Sequence, residues 1–257
     1  MHIGSLFINR SAKFIGTFVK GFAYLFHFIF KNKRFTIPLY SKALISGKKS
    51  IIPKIIWQTN YSNNATLPVY INYLFNRLMS LDWEYRYVST EDRLEFIKTH
   101  ASERVANAFE RLTDGASQAD FWRLFTLNHS GGVYMDIDAH LVWPLSWMIK
   151  PEDKEMLLMT KHRFSNYFIA SAPNNPHLQT ALDIIVDNIE QKNIGGGVYD
   201  LTGPTVLNRA IKDDNEVNQR LYKYTCIQGS FTNEYFQYMD KPRGKWTHKK
   251  QNELLKS

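Results

Sequence analysis

The 257-residue chain is 44% hydrophobic and 14% aromatic, enough apolar side chain to build a large core, which excludes an intrinsically disordered protein. Its one cysteine, Cys226, excludes an intramolecular disulfide and argues against a cysteine-built zinc site; a reducing compartment such as the cytoplasm fits. The net charge of +8 is uneven: residues 1–81 hold eleven Lys or Arg and no Asp or Glu, while the remainder carries 21 basic against 24 acidic residues.

In chain order, the first candidate element is the apolar run from Phe14 to Phe30, FIGTFVKGFAYLFHFIF. Its 17 residues, interrupted by Lys20 and two glycines, fall short of the roughly 20 apolar residues needed to span a bilayer core of about 30 Å. Arg10, Lys13, Lys31, Lys33 and Arg34 flank it, and each favours anionic headgroups by about 1 kcal/mol near the surface. No small-residue cleavage pattern follows, so the segment does not read as a secretory signal. The expectation is a helix lying on an anionic membrane surface through residues 1–34, with packing on the protein body and a true transmembrane helix as the alternatives. The basic residues belong to no recognisable nucleic-acid module, so nucleic acid is not an expected partner.

Residues 35–50, with Pro38, Gly47 and the Lys48-Lys49 pair, read as a connector. IPKIIWQTN, starting at Ile52, reads as the first buried strand. Residues 67–80 suit a helix beginning near Pro68, and WEYRYVST at 83–90 alternates as a second strand. Thr90, Glu91 and Asp92 open another helix. Residues 101–112 and 116–128 are helical by period, and glycines after His129-Ser130 suit a C-terminal cap and turn. Strand alternates with helix, which predicts an α/β sheet layered by helices.

GGVYMDIDAH at 131–140 places two carboxylates inside an apolar run. On a strand, Val133, Met135, Ile137 and Ala139 would face one way, and Tyr134, Asp136, Asp138 and His140 the other. Adjacent like charges raise each other's pKa unless a cation lies between them. Mg²⁺ or Mn²⁺, held through one or two carboxylates with positions left open for phosphate oxygens, resolves that conflict. Asp120 and Arg123, three residues apart, share a helix face. On spacing alone they read as an intrahelical ion pair worth about 0.3–0.5 kcal/mol. His140 shares the aspartates' face without an assigned role.

ASQADFWRLFTLNHSGGVYMDIDAH, together with IPKIIWQTN, resembles the sugar-binding, Asp-X-Asp glycosyltransferases of family 32. The order Asp120, Arg123, Tyr134, Asp136, Asp138 is also similar to that of the glucosyltransferase domains of large clostridial cytotoxins. The likeness spans roughly residues 51–145. It implies a GT-A fold, a single Rossmann-like nucleotide-sugar-binding domain, using a nucleotide-sugar donor and Mn²⁺ or Mg²⁺. It implies that Trp57 stacks on the nucleobase with Gln58 and Thr59 beside it, that Asp120 and Arg123 hold donor sugar hydroxyls, and that Tyr134 packs along the donor. Asp136 and Asp138 are implied at the ribose and the metal, Asp138 the more direct ligand. Gln118-Ala119 replaces the Lys-Ser common in the family before the helix aspartate, so one of the family's polar donor contacts does not carry over from the resemblance.

Further along, NYFIASAPNNPHL reads as a strand and loop entering a helix, with Asn166 a candidate donor contact. Thr202-Gly203-Pro204 is a turn into a helix that borders the acceptor cleft in relatives. RGKWTHKK near the C-terminus suggests a segment closing the donor site, with Lys245 and Trp246 at the diphosphate and His248 as a third metal ligand. The expected division is 1–50 for the membrane-associating segment and connector, 51–240 for the catalytic domain and 241–257 for the closing tail.

The sequence therefore points to a metal-dependent, retaining glycosyltransferase. It would move a hexose or N-acetylhexosamine from a UDP-sugar, with GDP-mannose the alternative, to a lipid-linked oligosaccharide, O-antigen, capsule or lipopolysaccharide precursor at the cytoplasmic face of the bacterial inner membrane. No nucleophilic carboxylate is evident for double displacement, so a front-face mechanism is favoured. A haloacid-dehalogenase-type phosphohydrolase would place Asp-X-Asp after its first strand, not after about 135 residues, and a catalytically silent membrane scaffold would not need these sugar and metal positions.

Overall fold

The computed structural model describes residues 2–242 and 251–256. It opens on α1 (His2–Ile29), followed by two short strands, β1 (Phe35–Thr36) and β2 (Tyr40–Ser41). The first half of the body comprises β3 (Ile55–Thr59), β4 (Asn64–Ala65), α2 (Leu67–Leu78), β5 (Glu84–Val88), α3 (Thr90–His100), α4 (Glu103–Arg111) and α5 (Gly115–Ser130). Then come β6 (Gly132–Met135), β7 (Ala139–Leu141), α6 (Leu145–Met148), β8 (Glu155–Thr160), β9 (Arg163–Ser171) and α7 (Pro176–Glu190). The last described elements are α8 (Gly197–Leu201), α9 (Pro204–Ala210), β10 (Gln219–Leu221), β11 (Cys226–Gln228) and α10 (Glu234–Gln237).

Seven strands form one mixed sheet in the order β10-β8-β9-β6-β3-β5-β2. β3 lies parallel to both β5 and β6, while β9 runs antiparallel to β6 and β8. Side-chain alternation builds a core on each face. Trp57, Tyr134, Leu157 and Ile169 join α3, α4, α5, α7 and α9 on one side. Ile56, Val133, Leu158 and Phe168 join α2 and α6 on the other. The GT-A-like α/β expectation thus matches a mixed sheet with helices on both faces.

Local chemistry sets the helix ends. Ser89 and Asp92 form a reciprocal capping box that starts α3, and Asp114 accepts the Ala116 and Ser117 N–H groups that start α5. Gly131 ends α5 at φ 68°, and a Cβ there would lie 2.8 Å from Pro53 and 2.9 Å from Pro173. A side chain on Gly132 (φ 113°) would in turn meet the Ile55 carbonyl at 2.6 Å.

Three expectations change. The connector is part of the fold, because β2 pairs with β5 as an edge strand and β1 pairs with β4. The strand through GGVYMDIDAH is broken: β6 stops at Met135, the Ala139 N–H donates to the Asp136 carbonyl, and β7 restarts beyond that turn. Alternation therefore fails across Asp136–Asp138, and His140 does not share the aspartates' surroundings. It is fully buried between Phe75 and Phe231, whose ring centroids lie 5.7 and 5.5 Å away. Burial lowers its pKa to about 4.

α1 packs along the body through Ser5, Asn9, Ala12, Ala23 and His27, all buried. The His27 Nε2 accepts the Leu67 N–H at 3.0 Å, capping α2. Burial lowers the His27 pKa and keeps that acceptor neutral. Among the described residues, no helix is long and apolar enough to cross a membrane.

Candidate active site

A cleft of about 720 Å³ opens over the carboxyl ends of β3 and β6, where α/β sheets gather ligands. α5 delivers Asp120 and Arg123 to its wall, and the turn after β6 delivers Asp136 and Asp138. β9 contributes Asn166 through an irregularity opposite Leu157 and Leu158, the kind of bulge that re-aims side chains at sites.

Arg123 is the hub. Its guanidinium lies 3.1 Å from Asp120 and 3.3 Å from Asp136, and 4.4 Å from the centroid of the Tyr134 ring. Its Nη1 donates to the Asn166 carbonyl at 2.8 Å. Burial alone would lower its pKa, but Tyr134, Asp136 and Asp120 outweigh that and hold it charged. Asp120 accepts from Asn166 Nδ2 at 2.9 Å and Thr202 Oγ1 at 3.3 Å. Burial raises its pKa to about 7 against the lowering influence of Arg123.

The Asp136–Asp138 turn is clamped from several directions. Tyr134 donates its hydroxyl to Asp136 Oδ1 at 2.7 Å. Gln58 Nε2 donates to the Asp136 carbonyl at 3.1 Å, and Asn72 Nδ2 donates to the Ile137 and Ala139 carbonyls at 2.8 and 2.9 Å. Gln228 Nε2 donates to both carboxylates, at 3.0 Å to Asp136 Oδ2 and 3.1 Å to Asp138 Oδ1. Burial first, then Asp136, push the Asp138 pKa to about 6, while Gln237 and Gln228 oppose the rise. One nitrogen within reach of both carboxylates marks a point where a small hard cation fits, with further positions left for phosphate and water oxygens. Among the described residues no group of three or more His, Cys, Asp or Glu could hold a metal, so these residues offer a two-carboxylate site rather than a closed cage.

The structure brings together Asp120, Arg123, Tyr134, Asp136, Asp138, Asn166 and Thr59 on one cleft. It corrects two placements. Trp57 is buried: its indole N–H donates to the Gly131 carbonyl at 2.9 Å and its ring meets Trp122 at 6.2 Å, so no nucleobase face is offered. Gln58 is also buried, accepting from the Tyr85 hydroxyl and holding Asp136 from behind instead of lining the cleft. Both precede the strand end, where side chains belong to the sheet's cores. Lys245, Trp246 and His248 lie outside the described residues.

Sequence reasoning missed Asn60, Tyr61, Arg93, Gln228 and Gln237, all on the cleft. Asn60 and Tyr61 directly follow β3, so the rule that ligands bind at strand carboxyl ends could have found them. Arg93 is 2% exposed and donates to the Gly115 carbonyl and Thr90 Oγ1. Its Nε has no hydrogen-bond partner among the described residues, and burial lowers its pKa to about 10. No local signal marks the two glutamines.

Residues 68–161 match the family described as the glycosyltransferase sugar-binding region containing a DXD motif, and this segment contains Asp120, Arg123, Tyr134, Asp136 and Asp138. The chain is a glycosyltransferase. The PaToxG glycosyltransferase shares its fold, with a TM-score of 0.52 at 17% identity over 82% of this chain and 79% of that one. The ligand-free glycosyltransferase domain of the YGT toxin overlaps less, with a TM-score of 0.39 at 14% identity over 58% of this chain and 54% of that one. The UDP-bound form of that domain gives a TM-score of 0.38 at 14% identity, over 64% of this chain and 56% of that one. No curated protein sequence matches the glycosyltransferase.

Proposed function

We propose that this glycosyltransferase moves a hexosyl or N-acetylhexosaminyl group from a UDP-sugar to a lipid-linked saccharide, such as an O-antigen, capsule or lipopolysaccharide precursor, at the cytoplasmic face of a bacterial inner membrane. The observation carrying this reading is the convergence of Asp120, Arg123, Tyr134, Asp136 and Asp138 on one wall of the cleft. Their order, like that of the cytotoxin glucosyltransferases, favours UDP over GDP-mannose. The lipid-linked acceptor rests on the basic, aromatic N-terminal segment.

In this reading Asp120, oriented by Asn166 and Thr202, accepts hydroxyls of the donor sugar. Arg123 balances the charge of Asp120 and Asp136 without a counterion from solvent. Asp136 and Asp138 hold Mn²⁺ or Mg²⁺, and Gln228 and Gln237 fix the two carboxylates facing each other. When bound, the ion supplies Lewis-acid stabilisation of charge on the leaving diphosphate. The buried walls strengthen these interactions by excluding water.

The test is release of nucleoside diphosphate from a panel of UDP- and GDP-sugars, with Mn²⁺, Mg²⁺ or chelator. UDP release from one or more UDP-sugars, lost on chelation, is the expected result. Release only from GDP-mannose would move the donor to the alternative, and neither binding nor turnover of any donor would overturn the proposal.

A further inference from the structure

The amphipathicity of α1 is reversed relative to a helix that merely packs on a core. Its inward face is small or polar, whereas Phe7, Phe14, Phe18, Phe22, Leu25 and Phe28 point out, between 57% and 73% exposed. A contiguous aromatic face of this kind on a soluble surface marks an interaction site. The α1 start leads to a second feature. The Trp143 ring lies so close to Gly4 that a Cβ there would meet it at 2.3 Å. Trp143 contacts Trp147 at a centroid distance of 5.8 Å, and Trp147 is 69% exposed. Trp147 forms the rim of a cavity of about 330 Å³ whose lining includes Lys48, Lys49, Ser50, Lys54 and one carboxylate, Asp82. Lys54 is paired with Asp82, but Lys48 and Lys49 enter no ion pair among the described residues.

We propose that the outward face of α1 and this lysine cavity form one seat for an anionic phospholipid surface, the aromatic face entering the interface while the cavity takes a lipid phosphate. The proposal rests on the membrane setting given above and names the surface that would meet it. Charge chooses the occupant. The first 81 residues carry eleven cations and no carboxylate, so a second copy docking here would oppose like charges, whereas an anionic bilayer complements them. An exposed Trp at the rim suits the headgroup region, where amphipathic rings concentrate. The same helix braces the active site from its other side: a Cβ on Gly16 would lie 2.1 Å from the Ser230 carbonyl, Lys20 donates to the Gly229 carbonyl, and Asn233 donates to the Tyr24 hydroxyl. Residues 228–237 carry Gln228 and Gln237 into the cleft, so the seat holds the donor site close to a lipid-borne acceptor.

The test is sedimentation of the full chain with vesicles of phosphatidylcholine alone or mixed with phosphatidylglycerol, with light scattering in lipid-free solution. Binding is expected only to the anionic vesicles. The Lys48→Ala/Lys49→Ala pair is expected to weaken it on the order of thirtyfold, following the typical contribution of a surface lysine. Phe14→Ser/Phe18→Ser is expected to abolish it. Quenching by brominated acyl chains is expected to fall in Trp147→Phe. Donor turnover without lipid should persist in the lysine and Trp147 variants, so a wild type that seats on vesicles but turns over no donor would sink the transferase reading alone. Unchanged vesicle binding in the lysine variant, undiminished quenching in Trp147→Phe, binding indifferent to phosphatidylglycerol, or self-association through α1 without vesicle binding would overturn the seat.

Discussion

Replacing Arg123 by Met removes the one cation among the described residues that touches both Asp120 and Asp136. The side chain is 5% exposed and Asp120 is 8% exposed, so the Arg123–Asp120 contact is not exchanged for bulk water, whereas the Asp136 side chain is 25% exposed. Breaking a buried pair by deleting one partner costs about 3–5 kcal/mol, since the other charge stays desolvated. For a chain of this size that lowers the melting temperature by roughly 10 °C. The cost depends on pH in a defined direction. Burial raises the Asp120 pKa from 3.8 to about 7, so the native state binds the proton more tightly than the unfolded chain, and stability falls as pH rises through that interval. Without Arg123 the pKa rises further. The penalty of the variant should therefore be large at about pH 8 and shrink towards about pH 5, where Asp120 is protonated with or without the arginine. Thermal melts of both proteins at the two pH values measure this. A penalty equal at both, or no penalty near pH 8, would refute the hub role of Arg123.

Three further outcomes are expected. Asp138→Asn should abolish divalent-dependent donor turnover by at least about a hundredfold while leaving the melting temperature within a few degrees; activity near wild type would remove Asp138 from the metal site. Arg93→Met removes a buried charged donor from the cleft and should raise the donor KM by roughly tenfold or more with kcat little changed. A KM unchanged in a folded variant would assign Arg93 to structure alone. Because burial lowers the His140 pKa from 6.5 to about 4, its share of stability is present above 6.5 and is lost as pH falls towards 4, about 3 kcal/mol in all. His140→Phe should flatten the stability profile across that window, as read by denaturant melts, and an unaltered profile would discount this histidine.

Elements with strong local signals are legible in the sequence. The helix that carries Asp120 and Arg123 is placed by its pattern to within a residue or two at each end, because its apolar period, its capping Asp114 and the glycines after it all act locally. Their three-residue spacing puts both side chains on one face, and the fold turns that face to the cleft. Alternation misleads where it is extended past the end of β6. A single hydrogen bond from the Ala139 N–H to the Asp136 carbonyl ends the strand, lifts both aspartates into a turn and sends His140 into the core. Trp57 misleads for a related reason: a large aromatic on a central strand lies between two layers, and only its neighbours Phe96 and Trp122 decide that it is covered.

By itself the sequence determined the α/β alternation, the order of the acidic and basic site residues, and the concentration of positive charge before residue 82, since each is written in local composition or period. Only the tertiary structure decided how those residues meet. Gln228 reaches Asp136 from 92 positions away, and Arg34 reaches Asp240 from 206. It also decided which face of α1 turns outward. A helix periodicity shows that two faces differ; which of them is covered depends on the partner surface. Here that surface is closely fitted around Gly4, Gly16 and Ala23 and leaves the aromatic face uncovered.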